Sequence, residues 1–573
     1  MTPSRNRSFA LAIFGAVLVV FGTLLCLFWP FIFHRLLSKE LSMSPTSTSF
    51  DIWKNPTSVP LHLEIYFFNW TNPEEIRTPG KKPSFVQLGP YTFLERREKV
   101  NVVFHPQNNT VSFDQKRTWY FDAERSNGSL KDNVTQLNVV AISAAHKIRN
   151  WAFYWHTMFD LMLSKIGQIH VTKTVDELLF SGYEDTLINM GQITKIVDLP
   201  PFDKFGWFYM RNESTVFDGH FNMATGQDNI MNIGILRNWN YRNTTSFYDA
   251  PCNAVEGSAG EFWPPDKNYD EITLFSADIC RPLTYEYKGI MTHQGIVGKR
   301  YVIGDKTLSN STKRRYPRKQ VNLVETATRT SEDFVAMEDS GKAFESLKKF
   351  QDPDIVNVGQ CFCNGECTPS GIINVTACRY GAPAFVSLPH FHKADPVFRE
   401  QINGMNPDDE KHGFYIVLEP TTGIPIDVAA RLQVNILLQP LQSLSLFKDV
   451  PKTYFPMFWF NERAGITEEL APSLWLLIHL LDIGHYTSIA ILFLGSLIVL
   501  GAGVLHCLHK RDKADMVMMM SNKPMSTGFA VPAEQKTELI YLDTTVANDD
   551  RDAQTRLNRQ LYPKLVGDNL QDL

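Results

Sequence analysis

Residues 9–33 read FALAIFGAVLVVFGTLLCLFWPFIF, twenty-five consecutive positions without a charge, preceded by Arg5 and Arg7. As a helix rising 1.5 Å per residue they reach roughly 37 Å, enough to cross a hydrocarbon core of about 30 Å. A cleavable signal peptide has a shorter apolar stretch of about 7–15 residues that ends in small side chains. This one ends in Trp29, Pro30 and Phe31 and predicts a retained transmembrane helix over 9–33. A second apolar run, LWLLIHLLDIGHYTSIAILFLGSLIVLGAGVLHCLHKR, lies near the C-terminus and is interrupted by Asp482 and His485. A carboxylate at mid-bilayer costs about 2.5–3.5 kcal/mol on insertion scales. The second span is therefore expected over 486–508, with His509, Lys510, Arg511 and Lys513 beyond it.

Cations before the first span and after the second predict that both termini, 1–8 and 509–573, are cytosolic. Residues 34–485 then lie outside the cell or in a lumen, and are enough for a large core. That placement bears on CFCNGECTPSGIINVTAC (Cys361–Cys378), where four of the eight cysteines fall in one stretch. The spacing alone leaves a zinc knuckle, a redox site and a disulfide framework open, because the paired C-x2-C pattern of zinc sites is missing. An oxidising compartment favours disulfides. Six cysteines (Cys252, Cys280, Cys361, Cys363, Cys367, Cys378) fall in it, an even number, whereas Cys26 and Cys507 lie in or beside the membrane. Eight N-x-S/T sequons, Asn69, Asn108, Asn127, Asn133, Asn212, Asn243, Asn310 and Asn374, lie on the same side as candidate glycosylation sites.

With 44% hydrophobic and 20% charged residues and a net charge of −5, the chain is globular in composition and gives no global argument for nucleic acid. Short alternating runs punctuated by Gly-Pro and Asn-Asn read as antiparallel strands over 59–121, and again over 285–303 and 385–448. Within the last, GFYIVLEPTTGIPIDVAARLQVNILLQPL has the form of a hairpin closed by Thr-Thr-Gly. Between 134 and 182 the apolar period changes to helical, with Leu137, Val140, Ala141, Ala144, Ala145 and Ile148 followed by Phe153, Phe159, Met162 and Ile166. This stretch is expected to form apical helices away from the membrane. Residues 304–350 read as an inserted polar segment, and 509–573 as a largely disordered tail.

Several stretches together resemble the class B scavenger receptor family, which includes fatty acid translocase, the high-density-lipoprotein receptor and the lysosomal integral membrane protein type II. They are QLGPYTF (87–93), LNVVAISAAHKI (137–148), FSADICRP (275–282), GQCFC (359–363), VSLPHF (386–391), INGMNPDDEKHGFYIVLEPTTG (402–423) and RLQVNILLQP (431–440). With the two terminal runs, the resemblance covers about residues 5–510. It implies two transmembrane α-helices and a large α+β ectodomain: an antiparallel β-barrel-like core, an apical helical bundle and an internal apolar tunnel running toward the membrane. It also implies the pairings Cys252–Cys361, Cys280–Cys378 and Cys363–Cys367. The implied partners are long-chain fatty acids, phospholipid, cholesterol or lipoprotein particles.

Releasing a sixteen-carbon chain into water costs on the order of 12 kcal/mol at about 0.8 kcal/mol per methylene, so an apolar path to the bilayer would serve lipid uptake without covalent chemistry. Trp151, Phe153, Trp155 and Phe159 supply apolar surface at the apex, and Lys147, Arg149, Lys165 and Lys173 supply positive charge for carboxylates or anionic particles. The resemblance places a fatty-acid-contacting lysine near Lys165. Aromatic residues at helical spacing usually form core, and lysines usually face solvent. The run KRRYPRK (313–319) reads as a solvated loop, with an anion patch or a processing site as alternatives. His390 and His392 fall on one face of a predicted strand, but no third ligand completes a metal site, and neither a metal nor another cofactor is expected. No nucleophile-elbow, zinc-protease, phosphate-loop or dinucleotide motif occurs, which argues against an enzyme.

Gly15 and Gly22, with Gly495 and Gly501–Gly503, offer small surfaces for helix packing or a homo-oligomer. Cys507 is a palmitoylation candidate. In the tail, Tyr562 and Leu565 of YPKL form a candidate signal for endocytosis and sorting, and Glu538–Ile540 an imperfect dileucine-like one. The expected function is a lipid-binding scavenger receptor at the plasma membrane. The alternatives are a lysosomal or endosomal sorting receptor for a soluble hydrolase and a two-span channel subunit.

Overall fold

A computed structural model describes residues 3–55, 59–194, 202–265, 269–315 and 355–521. Residues 13–498 form one compact unit, and the two ends of the chain, up to residue 12 and from 499 onward, belong to a second. The chain begins with helix α1 (Pro3–Leu41), followed by the short α2 (Thr48–Lys54), and a C-terminal helix covers Ala471–Ser521. Both long helices are apolar enough to cross a membrane. They pack together through small residues. A Cβ on Gly22 would stand 2.9 Å from the backbone of Leu492, and one on Gly495 the same distance from the Gly15 carbonyl. The Trp29 indole N–H donates to the carbonyls of Leu480 and Leu481 at 3.2 and 3.1 Å. Side chains on the outer faces, such as Val17, Leu27, Ile489 and Leu500, are exposed, as lipid-facing positions must be.

Both helices outrun the spans expected from hydropathy, reaching Leu41 in one case and starting at Ala471 in the other. The excess turns are buried by protein rather than lipid. Phe33, Leu37 and Leu41 join Val111, Phe113, Phe221 and Met223 in an apolar base, against which Leu477, Leu480 and Leu481 also pack. Ala471 and Leu474 join a separate cluster with Tyr415, Val417 and Ile426. Asp482 and His485 interrupt the hydropathy but not the helix, and the helix continues past Leu508 to Ser521.

Between the helices the described residues form seventeen strands: β1 (Leu61–Trp70), β2 (Phe85–His105), β3 (Thr110–Asp122), β4 (Asn133–Leu137), β5 (His170–Thr174), β6 (His220–Ala224), β7 (Leu236–Trp239), β8 (Glu271–Ser276), β9 (Arg281–His293), β10 (Ile296–Ile303), β11 (Lys313–Arg315), β12 (Ile355–Asn357), β13 (Ile372–Asn374), β14 (Ala384–Ser387), β15 (Tyr415–Leu418), β16 (Pro425–Leu438) and β17 (Thr453–Gly465). Eleven of them follow one antiparallel path, β7-β6-β3-β2-β1-β17-β16-β15-β10-β9-β8, with β14 added beside β16 and β13 beside β14. The end strands are joined by one loop. Leu236 of β7 donates to the Gly257 carbonyl at 2.9 Å, and Ser258 exchanges backbone hydrogen bonds with Thr273 and Phe275 of β8. The sheet is thereby nearly closed into a barrel, which leaves almost no free edge. The β15–β16 hairpin turns through Thr421, Thr422 and Gly423, whose φ of +71° and contact with the Trp263 carbonyl leave no room for a Cβ.

The apical stretch is mixed rather than wholly helical. Helices α3 (Val139–Ile148) and α4 (Phe153–Ile166) are enclosed by the β4–β5 pair, and α5 (Thr186–Thr194) follows. Val134, Thr135, Val171 and Thr172 of this pair are β-branched, which favours the ladder over a helix. Asn138 caps α3 by accepting from the Ala141 N–H at 3.1 Å. Residues 304–315, read as the start of an insertion, belong to the folded body. Helix α6 (Asp305–Leu308) buries Thr307 and Leu308, and β11 pairs with β12. Residues 316–350 of that segment lie outside the described residues.

His390 and His392 are not on a strand. They occupy a tight turn in which His390 and Phe391 have φ of +55° and +52°. Nδ1 of His390 accepts from the Asn406 N–H at 3.1 Å, and Nδ1 of His412 accepts from the Asp408 N–H at 2.9 Å. The two rings stack with centroids 4.4 Å apart. Burial, with each ring beside another imidazole, lowers His390 to about 3 and His412 to about 4. Both are neutral when folded, whereas the unfolded chain binds their protons from about pH 6.5 downward. Their contribution is complete above that value and is lost as pH falls toward 4. The unfolding temperature of the detergent-solubilised chain should therefore decline from pH 7 to pH 4.5, and His412→Gln should flatten that decline. An unchanged slope in the variant would remove these rings from the account.

Candidate ligand cavity

Strands of the barrel bring alternate side chains to its interior. Leu432, Val434 and Ile436 of β16 and Phe458 and Phe460 of β17 face inward with Leu63 of β1 and Trp119 of β3, because residues two apart on a strand share a face. Above them, Val139, Val140, Ser143, Ala144 and Lys147 of α3 and Leu187, Ile188 and Gly191 of α5 form a roof, and Phe205, Trp207 and Phe208 close one side. Aromatic contacts hold this wall: Trp207 meets Phe458 at 5.0 Å and Phe208 meets Trp119 at 5.2 Å. The cavity is about 350 Å3, within the range of pockets that hold small molecules. Phe217 and Tyr380, both lining it and both exposed, mark where it meets solvent.

One end of the cavity is charged. Glu95, Arg117, Arg211, Asp278, Arg379 and Glu462 line it. Arg97 bridges Glu95 and Glu462 at 2.6 and 2.5 Å. Arg117 reaches Asp218 at 2.8 Å, and Arg211 joins Asp218 and Asp278 at 2.9 and 2.8 Å. Arg379 lies 3.7 Å from Asp278. The layer continues through Gln115 to Lys99, which pairs with Glu261, itself accepting from the Trp53 indole at 2.7 Å. Five cations thus face five carboxylates. Burial alone would push the Glu95, Asp218 and Asp278 carboxyls up, but the adjoining guanidinium groups more than reverse it and hold all three below the usual carboxylate range. This layer has Trp119 and Phe208 of the main core on one side and Trp53 and Phe113 of the basal cluster on the other. The cavity therefore ends on charge instead of continuing as an uninterrupted apolar bore.

Sequence reading missed this layer. Glu95, Arg97 and Lys99 alternate with Arg96 and Glu98, so neither face of ERREK looks apolar and the inward one cannot be picked out by hydrophobicity. The register makes the choice by pairing Glu95, Arg97 and Lys99 with Trp119, Arg117 and Gln115.

Of the seven apical candidates, Lys147 alone among the described residues lines the cavity. Arg149 pairs with Glu366 at 2.5 Å. Trp151 and Phe159 pack against the core, whereas Phe153, Trp155 and Lys165 are exposed on α4. Lys173 lies over the Tyr183 ring and near Glu177. The sulfurs meet as Cys252–Cys361, Cys280–Cys378 and Cys363–Cys367, with Cα separations of 6.3, 6.2 and 4.8 Å. Cys26 and Cys507 are unpaired, the latter exposed. Asn108, Asn127, Asn133, Asn212 and Asn243 are exposed or half-buried, as are Asn69, Asn310 and Asn374, and the Asn310 amide donates to the Thr368 carbonyl at 2.6 Å. Among the described residues no three His, Cys, Asp or Glu side chains are placed to hold a metal. Tyr562 and Leu565 lie outside the described residues, as does 538–540.

The profile of the CD36 family matches residues 13–506. Similar proteins include "Protein peste" of Drosophila melanogaster, 35% identical over 86% of this chain and 82% of its own length. "Scavenger receptor class B member 1" of Bos taurus is 28% identical over 87% of this chain and 89% of its own. "Lysosome membrane protein 2" of Homo sapiens is 30% identical over 76% of this chain and 81% of its own. A match that runs from within the first long helix, through every strand of the barrel, into the second long helix leaves one assignment: the chain belongs to the CD36 family of class B scavenger receptors.

Proposed function

We propose that this two-span membrane receptor of the plasma membrane, with both termini cytosolic, takes lipid from its surroundings into the ectodomain and promotes its uptake. The ligands are long-chain fatty acids, phospholipid, cholesterol or the lipid of lipoprotein particles. It is a receptor and not an enzyme. The observation that carries the reading is the aliphatic and aromatic cavity under α3 and α5, whose walls suit an alkyl or sterol body far better than a polar solute. The charged layer at its end supplies partners for a lipid headgroup. Transfer from the cavity to the basal cluster beside the two long helices requires that Arg211, Asp278 and Arg379 exchange partners. The cavity as it stands is a holding site.

Access of large particles is assigned to α4. Phe153, Tyr154, Trp155, Met158 and Leu161 stand exposed on this one helix, a surface that a monomeric soluble domain would hide. Lys165 extends the same exposed face. That surface also supports the alternative of a sorting receptor that docks a soluble hydrolase, which agrees with similarity to a protein named for the lysosome membrane. The accessible sequons are proposed to carry glycans, and the three disulfides to restrict the unfolded ectodomain by about 2–4 kcal/mol each.

Two predictions separate the cavity from the surface. Ala144→Trp places a large side chain in the roof and should lower saturable uptake of a labelled long-chain fatty acid at least fivefold in cells lacking other scavenger receptors. Undiminished uptake at equal surface expression would exclude the cavity from the route. Trp155→Ser combined with Lys165→Gln, both at exposed positions, should weaken lipoprotein binding severalfold while leaving folding and glycosylation intact. Full lipoprotein binding by this variant, together with recovery of a lysosomal hydrolase on the wild-type receptor only, would instead assign α4 to the sorting role.

A further inference from the structure

Among the described residues the Arg281 guanidinium differs from the charges of the barrel layer in having no counter-ion. It opens β9, is 7% exposed, and makes no ion pair among the described residues. Its Nε has no hydrogen-bond partner, and its Nη2 reaches only the Thr307 carbonyl at the limiting distance of 3.5 Å. The Phe362 ring caps one face of the guanidinium, 3.7 Å from ring centroid to Cζ. The nearby Tyr248 hydroxyl is buried and equally unpartnered. Burial without a carboxylate lowers Arg281 to about 10. A buried and unpaired cation is among the costliest features a fold can carry, and here the neighbouring Tyr248 hydroxyl is unsatisfied with it.

Arg281 lines a second cavity of about 250 Å3, outside the barrel cavity and beside the Cys252–Cys361 disulfide. Lys306, Lys313 and Arg314 line it with two carboxylates, Glu256 and Glu271. Glu271 pairs with Lys306, and Glu256 with Arg314 at 3.2 Å. Both acids are thus engaged by cations of the wall, which leaves Arg281 and Lys313 in excess. The four cations come from β9, α6 and β11 and so approach from different directions. A planar carboxylate presents two oxygens in one plane, whereas a tetrahedral group presents oxygens to donors on several sides.

We propose that this cavity is a binding site for a tetrahedral oxyanion, a sulfate or phosphate group, held chiefly by Arg281 and Lys313. The group comes either from a sulfated sugar or from a phosphate ester, and the site is independent of the lipid cavity. Its chemistry does not use the apolar barrel interior, so it stands or falls apart from the lipid reading.

The test uses the full-length protein in detergent. Its unfolding temperature is followed as sodium sulfate or phosphate replaces chloride at constant ionic strength, with labelled sulfate binding measured in parallel. Sulfate and phosphate should each raise the unfolding temperature saturably, by several degrees, while chloride and acetate do not. Arg281→Met removes the unpaired charge but keeps an apolar stem against Phe362, and should abolish both the response and sulfate binding. If that variant does not fold, Lys313→Gln, at an exposed position, should weaken sulfate binding at least threefold. A sulfated disaccharide binding at least tenfold more tightly than inorganic sulfate assigns the sugar source, and glycerol phosphate doing so assigns the ester. No saturable difference between sulfate and chloride in the wild type overturns the proposal. So does an equal response to acetate, a full response in Arg281→Met, or unchanged sulfate binding in Lys313→Gln.

Discussion

Five cations and five carboxylates enclosed by the barrel impose the constraint on which the interior depends. Removing a charge from water is costly, and the attraction between partners offsets it only where geometry and further hydrogen bonds are good. The layer meets that demand by sharing. Arg211 serves two aspartates, Arg97 two glutamates, and the Trp119 and Trp53 indoles donate to Glu95 and Glu261. Truncating Glu95 or Asp218, both almost fully buried, would strand a guanidinium partner, at a cost of about 3–5 kcal/mol for a buried pair. The interior is thereby divided into an upper apolar cavity and a lower apolar cluster, with ionic contacts between them.

Strand β16 shows how the layers around the barrel set the meaning of each face. Arg431, Gln433 and Asn435 alternate with Leu432, Val434 and Ile436, a pattern that on an ordinary sheet would place the polar row in solvent. Here the polar row is fully covered. Gln433 accepts from the His390 N–H at 2.6 Å, Asn435 donates to Ser387 at 3.0 Å, and Arg431 donates to the carbonyls of Glu410 and Gly413 at 2.7 and 2.9 Å. These bonds tie the end of β14 and the 388–413 segment that follows it to β16. The apolar row, by contrast, stays partly accessible at Leu432 and Val434 because it faces a cavity. The more buried face is the polar one.

The base is arranged by the two long helices. Their outer turns are not membrane spans in the strict sense, since Phe33, Leu37 and Leu41 fill the barrel base. The barrel therefore sits directly on the helix pair through an apolar contact. Above, α4 is held by few polar ties, among them Asp160 to Ser445 at 2.6 Å and His156 to Ser443 at 2.7 Å. Its outward row of aromatic and aliphatic side chains is left uncovered.

Much of this was legible in the sequence because it rests on local rules. Uncharged length announces a membrane helix, period two announces strands, and compartment and parity announce disulfides, so the two spans and the antiparallel ectodomain were readable from composition and spacing alone. The small apical ladder β4–β5 was not, since five-residue strands beside helices carry too weak a period, and the helix ends were not, since protein as well as lipid can bury them. What only the tertiary structure decided is which side chains converge. Lys147 rather than Lys165 lines the cavity, Glu95 and Glu462 meet across Arg97 from positions 367 residues apart, and Arg281 is left without a counter-charge among the described residues. Such pairings depend on strand register and closure of the sheet. Those are set by contacts between distant segments, and no local pattern of residues encodes them.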